Sequence, residues 1–159
     1  MNQLTKAIKV TAGVDRFGAP LVYVAGELFH CKVSGKDTAG ALCIYETIRT
    51  SRSGPPLHTH RDQDEWFFVR KGEFLFQIGV EKFRLAAGDS VLAPRQVPHT
   101  FVNIGDEGIL LIAYQPAGTM EQFLVDASRL LATQPAAEEW HALCRLHGVE
   151  IVGPQLKAE

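Results

Sequence analysis

Long apolar runs are missing from this 159-residue sequence; none approaches the roughly 20 residues that a membrane-spanning helix needs. The first residues, Met1-Asn2-Gln3-Leu4-Thr5-Lys6, also lack the apolar centre of a secretion signal. Charge of one sign is scarce: 16 Lys+Arg against 18 Asp+Glu leave a net charge of −2. That balance offers no electrostatic handle for nucleic acid or an acidic membrane surface. Cysteine is confined to Cys31, Cys43 and Cys144, an odd number, widely spaced, with no C-x-x-C pair. Buried free thiols in a reduced setting fit that usage, and a cytoplasmic protein is expected. There is no internal repeat, low-complexity tract, interdomain linker or DNA-binding segment. What remains is ordinary globular composition, 46% hydrophobic and 21% charged, enough for one domain with a sizeable core.

The punctuation is that of an all-β chain. Residues 21–33 read as one or two strands broken near Gly26, and 34–40 as a loop rich in Gly and Ser/Thr/Asp. Residues 41–49 alternate, with Leu42, Ile44, Glu46 and Ile48 on one side and Cys43, Tyr45 and Thr47 on the other. Apolar atoms on both faces suit a strand between packed sheets. Further strands are expected over 66–69, 73–78, 82–86, 90–93, 99–104 and 109–115, separated by Gly/Asp/Pro turns. Short strands at such even intervals indicate a β-sandwich or barrel. After Pro116 the period changes to that of a helix. Met120, Phe123, Leu124, Ala127, Leu130 and Leu131 recur at helical spacing behind Thr119, a candidate N-cap. Trp140, Leu143 and Leu146 repeat the pattern over 136–147, and Gly148 stops it. The division expected is a barrel over 1–118 and a C-terminal helical extension of the same domain over 119–159.

The chemistry is concentrated in 54–72, G-P-P-L-H-T-H-R-D-Q-D-E-W-F-F-V-R-K-G. His58 and His60, two apart on a strand, point to one face about 6–7 Å apart. Glu65 follows a polar turn and shares the parity of Phe67 and Val69, which turns it inward. An inward carboxylate needs a partner. Two imidazoles and a carboxylate on one face make a candidate first-row metal site, with His99 as a fourth ligand. Gly88, Pro94, His99 and Asn103 form a second constellation, in which a proline-bounded loop aims His99 from a strand entrance. His30, His141 and His147 are expected to be surface or internally satisfied.

At these residues the sequence resembles the cupin superfamily. His58, His60, Glu65 and Gly72 match its first motif, H-x-H-x4-E-x6-G, in full. Gly88, Pro94, His99 and Asn103 match its second, G-x5-P-x-G-x2-H-x3-N, with Gln96 at the usual glycine; the glycine ahead of H-x-H is displaced to Gly54. The segment 34–40, the exit 115–118 and the ending 147–154 are similar to single-domain cupins related to quercetin dioxygenases. The resemblance implies a double-stranded jelly-roll β-barrel with the C-terminal α-helices packed on it, commonly a homodimer. It also implies one divalent metal held by His58, His60, Glu65 and His99.

Three imidazoles and one carboxylate, without thiolate, suit Fe(II), Mn(II), Ni(II), Cu(II) or Zn(II) alike. An octahedral ion would keep two positions open for a substrate oxygen pair or for substrate and dioxygen, whereas tetrahedral zinc would be closed. The aromatic set Tyr45, Phe67, Phe74, Phe76, Phe101 and Tyr114 is first of all barrel core. Within it, Tyr45, Phe67, Phe76, Phe101 and Tyr114 are the candidate wall of a small-molecule pocket. Phe123 and Trp140 are expected to pack rather than to form a lid. The resulting expectation is a metal-dependent dioxygenase acting on a flavonol-like or other enolisable substrate, with Glu65 both ligand and base. A non-catalytic small-molecule-binding cupin and a metal-assisted isomerase or lyase are the alternatives.

Overall fold

Buried side chains alternate with half-buried or exposed ones at a period of two over 64–70 and 108–115 in the computed structural model, which describes residues 6–23 and 27–159. The elements are β1 (Leu21–Val22), β2 (Leu28–Val33), β3 (Cys43–Arg49), β4 (Pro56–His60), β5 (Asp64–Lys71) and β6 (Glu73–Ile78). They continue with β7 (Glu81–Ala86), β8 (Ser90–Ala93), β9 (His99–Asn103), β10 (Gly108–Gln115), α1 (Met120–Leu131), α2 (Ala137–Leu146) and β11 (Val149–Gln155). The expected strands are all found, 73–78 and 90–93 with the same bounds. The expected break near Gly26 lies outside the described residues. Residues 35–38, expected as loop, form a 3-10 turn capped by Ser34 and Asp37.

Two antiparallel sheets result, in the orders β1-β2-β3-β10-β5-β8 and β11-β4-β9-β6-β7. They pack as a jelly roll, and its core is aromatic across the gap: the Phe67 ring of one sheet lies 5.1 Å from Phe76 and 5.5 Å from Phe101 of the other. Each such side chain, buried fully, contributes about 1.5–3 kcal/mol. Gly72 closes the β5–β6 turn at φ +80°, where an added Cβ would stand 2.5 Å from the Glu107 carbonyl oxygen.

One expectation needs correction. Residues 119–159 are not wholly helical, because Val149–Gln155 returns as a strand beside the histidine strand, pairing Val149 with His60 and Ile151 with His58. Four or five alternating residues ending at Gly153-Pro154 carry too little local signal to announce a strand; the free edge of β4 supplies the reason to form one. The helices are tied to the barrel elsewhere. Glu121 of α1 accepts from the Ser34 hydroxyl at 2.9 Å and from the Gly35 N–H. The Tyr23 hydroxyl donates to the Leu124 carbonyl at 2.6 Å. Thr119 makes no side-chain cap; its hydroxyl meets His147 Nδ1 at 2.8 Å. No helix among the described residues is long and apolar enough to cross a membrane.

Candidate metal centre

Both sheets contribute to the site. His58 and His60 lie on β4 and His99 opens β9, where it pairs directly opposite His58. Glu65 comes from the other sheet, on β5, paired with Tyr114 and Ala93. The burial pattern of β5 alternates as its parity requires, with Glu65, Phe67 and Val69 inward and Trp66 and Arg70 outward. All four side chains are buried, and one potential ligand atom from each lies within 4.8 Å of the others. The three imidazoles crowd together, with ring centroids 4.5, 5.0 and 5.4 Å apart.

Second-sphere carbonyls set the tautomers. His58 Nδ1 lies 2.7 Å from the Pro56 carbonyl oxygen and His99 Nδ1 3.1 Å from that of Val97. A carbonyl only accepts, so each Nδ1 carries the proton and Nε2 keeps its lone pair for an ion or a proton. Glu65 Oε2 sits 2.7 Å from His99 Nε2 in a hydrogen bond and 2.9 Å from His60 Nε2. The second contact is close without the alignment of a hydrogen bond, and neither ring nitrogen of His60 has a hydrogen-bond partner among the described residues. A buried imidazole with no partner, facing two more and an acceptor carboxylate, makes a donor set suited to a metal ion.

Electrostatics agree. Burial drives the His58 imidazole down to about 3, with His99 and His60 adding to the effect, so it is neutral and able to ligate. Burial alone would raise Glu65, but His60 and His99 hold it well below the usual carboxylate range. His99, which burial would lower, is raised by its hydrogen bond and charge interaction with Glu65. Without an ion, Glu65 thus favours the protonated form of His99, a charge that a bound metal would otherwise supply.

The two departures from the sequence motifs have local explanations. Gln96 adopts φ +67°, the left-handed conformation that glycine would take without strain, and its N–H donates to the His60 carbonyl at 2.7 Å. Arg95 anchors the same loop on Asp64, its backbone N–H at 2.9 Å and its guanidinium at 3.1 Å. Gly54 passes so close to β9 that an added Cβ would lie 1.7 Å from the Phe101 carbonyl oxygen. Asn103 is a pin, not a ligand: its amide donates to the Arg49 and Ser51 carbonyls at 3.3 Å and accepts from Gly105 N–H at 3.1 Å.

His58, His60 and Glu65 open onto a cavity of about 580 Å³. Of the five residues expected in its wall, Phe101 and Tyr114 line it. Phe67 and Phe76 are sealed in the core, at 0% and 1% exposure, and Tyr45 opens instead on a separate cleft beside Cys31. Parity identified all five as inward, but depth along the barrel decides which inward side chains meet open space. The packing expectation for Phe123 and Trp140 also needs extension: their rings pack tilted at 33°, centroids 6.1 Å apart, and, with Leu124, Ala127 and Leu131, roof the cavity. Arg49 and Glu27, in the same wall, were not foreseen, although Arg49 continues the inward series 43, 45, 47. His30 faces Glu46 at 3.7 Å and His147 faces Thr119, neither near the site. The three cysteines are free and buried, and burial raises the thiols of Cys31, Cys43 and Cys144 to about 11, 12 and 12.

Residues 44–114 match the family model of the cupin domain. An uncharacterized protein of Methanocaldococcus jannaschii is 34% identical over 75 residues, 46% of this chain; the match spans 60% of that curated relative's length. An RmlC-like cupin from Shewanella frigidimarina superposes with a TM-score of 0.58 at 21% identity, covering 72% of this chain and 95% of that one. KdgF from Halomonas sp. gives 0.57 at 18% identity, covering 65% and 90%. At these identities the solved structures speak for the fold, and the motif residues fall inside the matched segment. The fold is that of a cupin jelly roll, and the stretch similar to the cupin domain, residues 44–114, carries all four candidate ligands.

Proposed function

We propose that this protein is a metal-dependent dioxygenase acting on a small enolisable substrate with an apolar body, a flavonol or a similar chelating compound. The observation that carries the reading is the buried His58/His60/Glu65/His99 set, three members of which, His58, His60 and Glu65, open on a largely apolar cavity. A divalent transition ion bound there would bind the substrate's paired oxygens and exchange electrons with dioxygen. Both oxygen atoms end in the product, so no external reductant is needed. The protein's own part is positional and acid–base. His58 and His99 are oriented by the Pro56 and Val97 carbonyls. Glu65, which faces the cavity beside the other candidate ligands, is the group placed to take the substrate's enol proton. Phe101, Ile112 and Tyr114, under the helical roof, exclude water from the reacting atoms.

Elemental analysis of untagged protein, followed by oxygen uptake with a flavonol under each candidate ion, tests this. About one divalent ion per chain and substrate-dependent uptake are expected. Protein that takes up none of the ions under reducing, anaerobic conditions would sink the metal reading. A loaded protein that consumes no oxygen, with no substrate perturbing its spectrum, would remove the dioxygenase. A second reading, isomerase or lyase chemistry on a keto acid, is favoured by one observation, the guanidinium of Arg49 in the cavity wall. Turnover without oxygen uptake separates it from the first.

A further inference from the structure

We propose that Arg49 is a carboxylate-recognition residue, and that the ligand of the main cavity, among the enolisable compounds with an apolar body, is one that carries a single carboxylate rather than a flavonol. The inference rests on the reading of that cavity as the substrate site. Arg49 ends β3 on its inward face and is 6% exposed, in the same wall as His58, His60 and Glu65. Its guanidinium carbon stands 5.5 Å from the Phe29 ring centroid and 5.1 Å from that of Phe101, so the group is clamped between two aromatic rings of the wall. A clamped guanidinium is organised for binding before a ligand arrives.

Glu27 balances its charge without using up its donors. One Glu27 oxygen takes Arg49 Nη1; the other accepts from the Ser51 and Ser53 hydroxyls at 2.9 and 3.1 Å. Both carboxylate oxygens are thereby engaged, while Arg49 Nε is buried with no partner among the described residues. A buried donor left open is costly, and a buried ion pair adds little to stability that an apolar pair would not. Placed in a cavity wall beside a candidate metal site, the pair is better explained by what it binds. The remaining N–H donors suit a planar acceptor, which the guanidinium fork grips more strongly than a neutral oxygen. No other arginine or lysine lines the cavity among the described residues, and Glu27 already offsets this one, which disfavours a dianionic phosphate. Ile112, Leu124 and Trp140 provide the surface for the apolar body.

The test pairs benzoate, phenylacetate, 3-phenylpropionate and octanoate with their primary amides, which keep the shape and lose the charge. Calorimetric binding is measured on protein stripped with chelator and on protein loaded with Ni(II). At least one acid is expected to bind about 10- to 100-fold tighter than its amide in both states. In the double variant Glu27→Gln/Arg49→Met, which leaves no lone buried charge, the preference should fall to within about twofold. Arg49→Lys, which keeps the charge but not the fork, should retain an intermediate preference and carries the test should the double variant not fold. An acid preference that survives these changes, that disappears on stripping the metal, or that no acid shows in the wild type overturns the proposal. A protein that binds no metal yet keeps an Arg49-dependent preference retains this inference while the metal reading falls.

Discussion

Two glutamates lie almost fully buried in the same six-stranded sheet, Glu46 on β3 at 1% exposure and Glu65 on β5 at 3%. They face opposite ways and are neutralised differently. Glu46 has a permanent cation in contact, the Arg70 guanidinium, with Lys32 Nζ at 3.8 Å. Glu65 has only imidazoles, His99 at 2.7 Å and His60 at 2.9 Å, which are charged only while protonated. A carboxylate paired with arginine is electrostatically complete. One surrounded by imidazoles is complete only with a proton or a metal ion, and this makes the inner site chemical and the outer one structural.

Removing one imidazole should break the comparison most sharply. His60→Ala or His99→Ala is expected to lower metal content from about one ion per chain to near zero by elemental analysis, because one of four donors is lost. Glu46→Gln should leave metal content unchanged. It should instead lower stability by about 1–3 kcal/mol in denaturant titration, the lower end applying because Arg70 is 40% exposed and can return to water. Equal metal loss in both variants would show that the two glutamates do not differ as argued.

Glu65→Gln should separate holding from proton transfer. The three imidazoles remain, so occupancy should survive in part, while turnover per bound metal falls about 10²–10⁴-fold. Wild-type turnover per metal in that variant would end the role of Glu65 as base.

A smaller effect follows from pH. His99 is raised and its proton sits on the ion pair with Glu65, so metal must displace that proton. Affinity should climb as pH rises toward the raised value, by up to about tenfold per unit for one proton released, and flatten above it. In the metal-free protein the sign reverses: the His99 contribution to stability is full below its ordinary value of about 6.5 and is lost as pH rises through the folded one. The Glu65 contribution is present above about 4.5 and lost toward acid. His58, held down to about 3, costs stability progressively below about 6.5, because only the unfolded chain binds its proton there. Competition titrations with a chromophoric chelator between pH 6 and 8 read the first of these (about tenfold per unit at most).

The smallest expected change is at Gln96. Gln96→Gly should stabilise the fold by about 0.5–1 kcal/mol net, since relief of the left-handed backbone exceeds the added freedom of the unfolded chain. Thermal melting with unchanged metal content checks it. Loss of metal there would mean that the side chain, whose Nε2 lies 3.5 Å from the Arg61 carbonyl oxygen, holds the ligand loop itself.

Much of this was legible locally. The spacing of His58 and His60 and the parity of Glu65 with Phe67 depend on the two-residue period of a strand, and the structure has both. Gly54 and Asn103 stood out as motif residues, but their reasons, a backbone crossing at β9 and a pin onto the Arg49 and Ser51 carbonyls, need partners about 50 residues away in sequence. The wall of the cavity was the least legible. Phe67 and Phe101 both point inward, and only the stagger of two sheets puts one in solid core and the other beside open space.

By itself the sequence determined which side chains turn inward, where strands stop and which four residues are equipped to hold an ion, because these follow from neighbours a few positions apart. Tertiary structure decided the rest. It paired the ending Val149–Gln155 with the histidine strand, laid Phe123 and Trp140 over the cavity, and set Arg49 against Glu27 in its wall. Those outcomes depend on contacts between segments far apart in the chain, where a free strand edge, an open barrel mouth and an unbalanced buried charge exist only once the sheets have closed on one another.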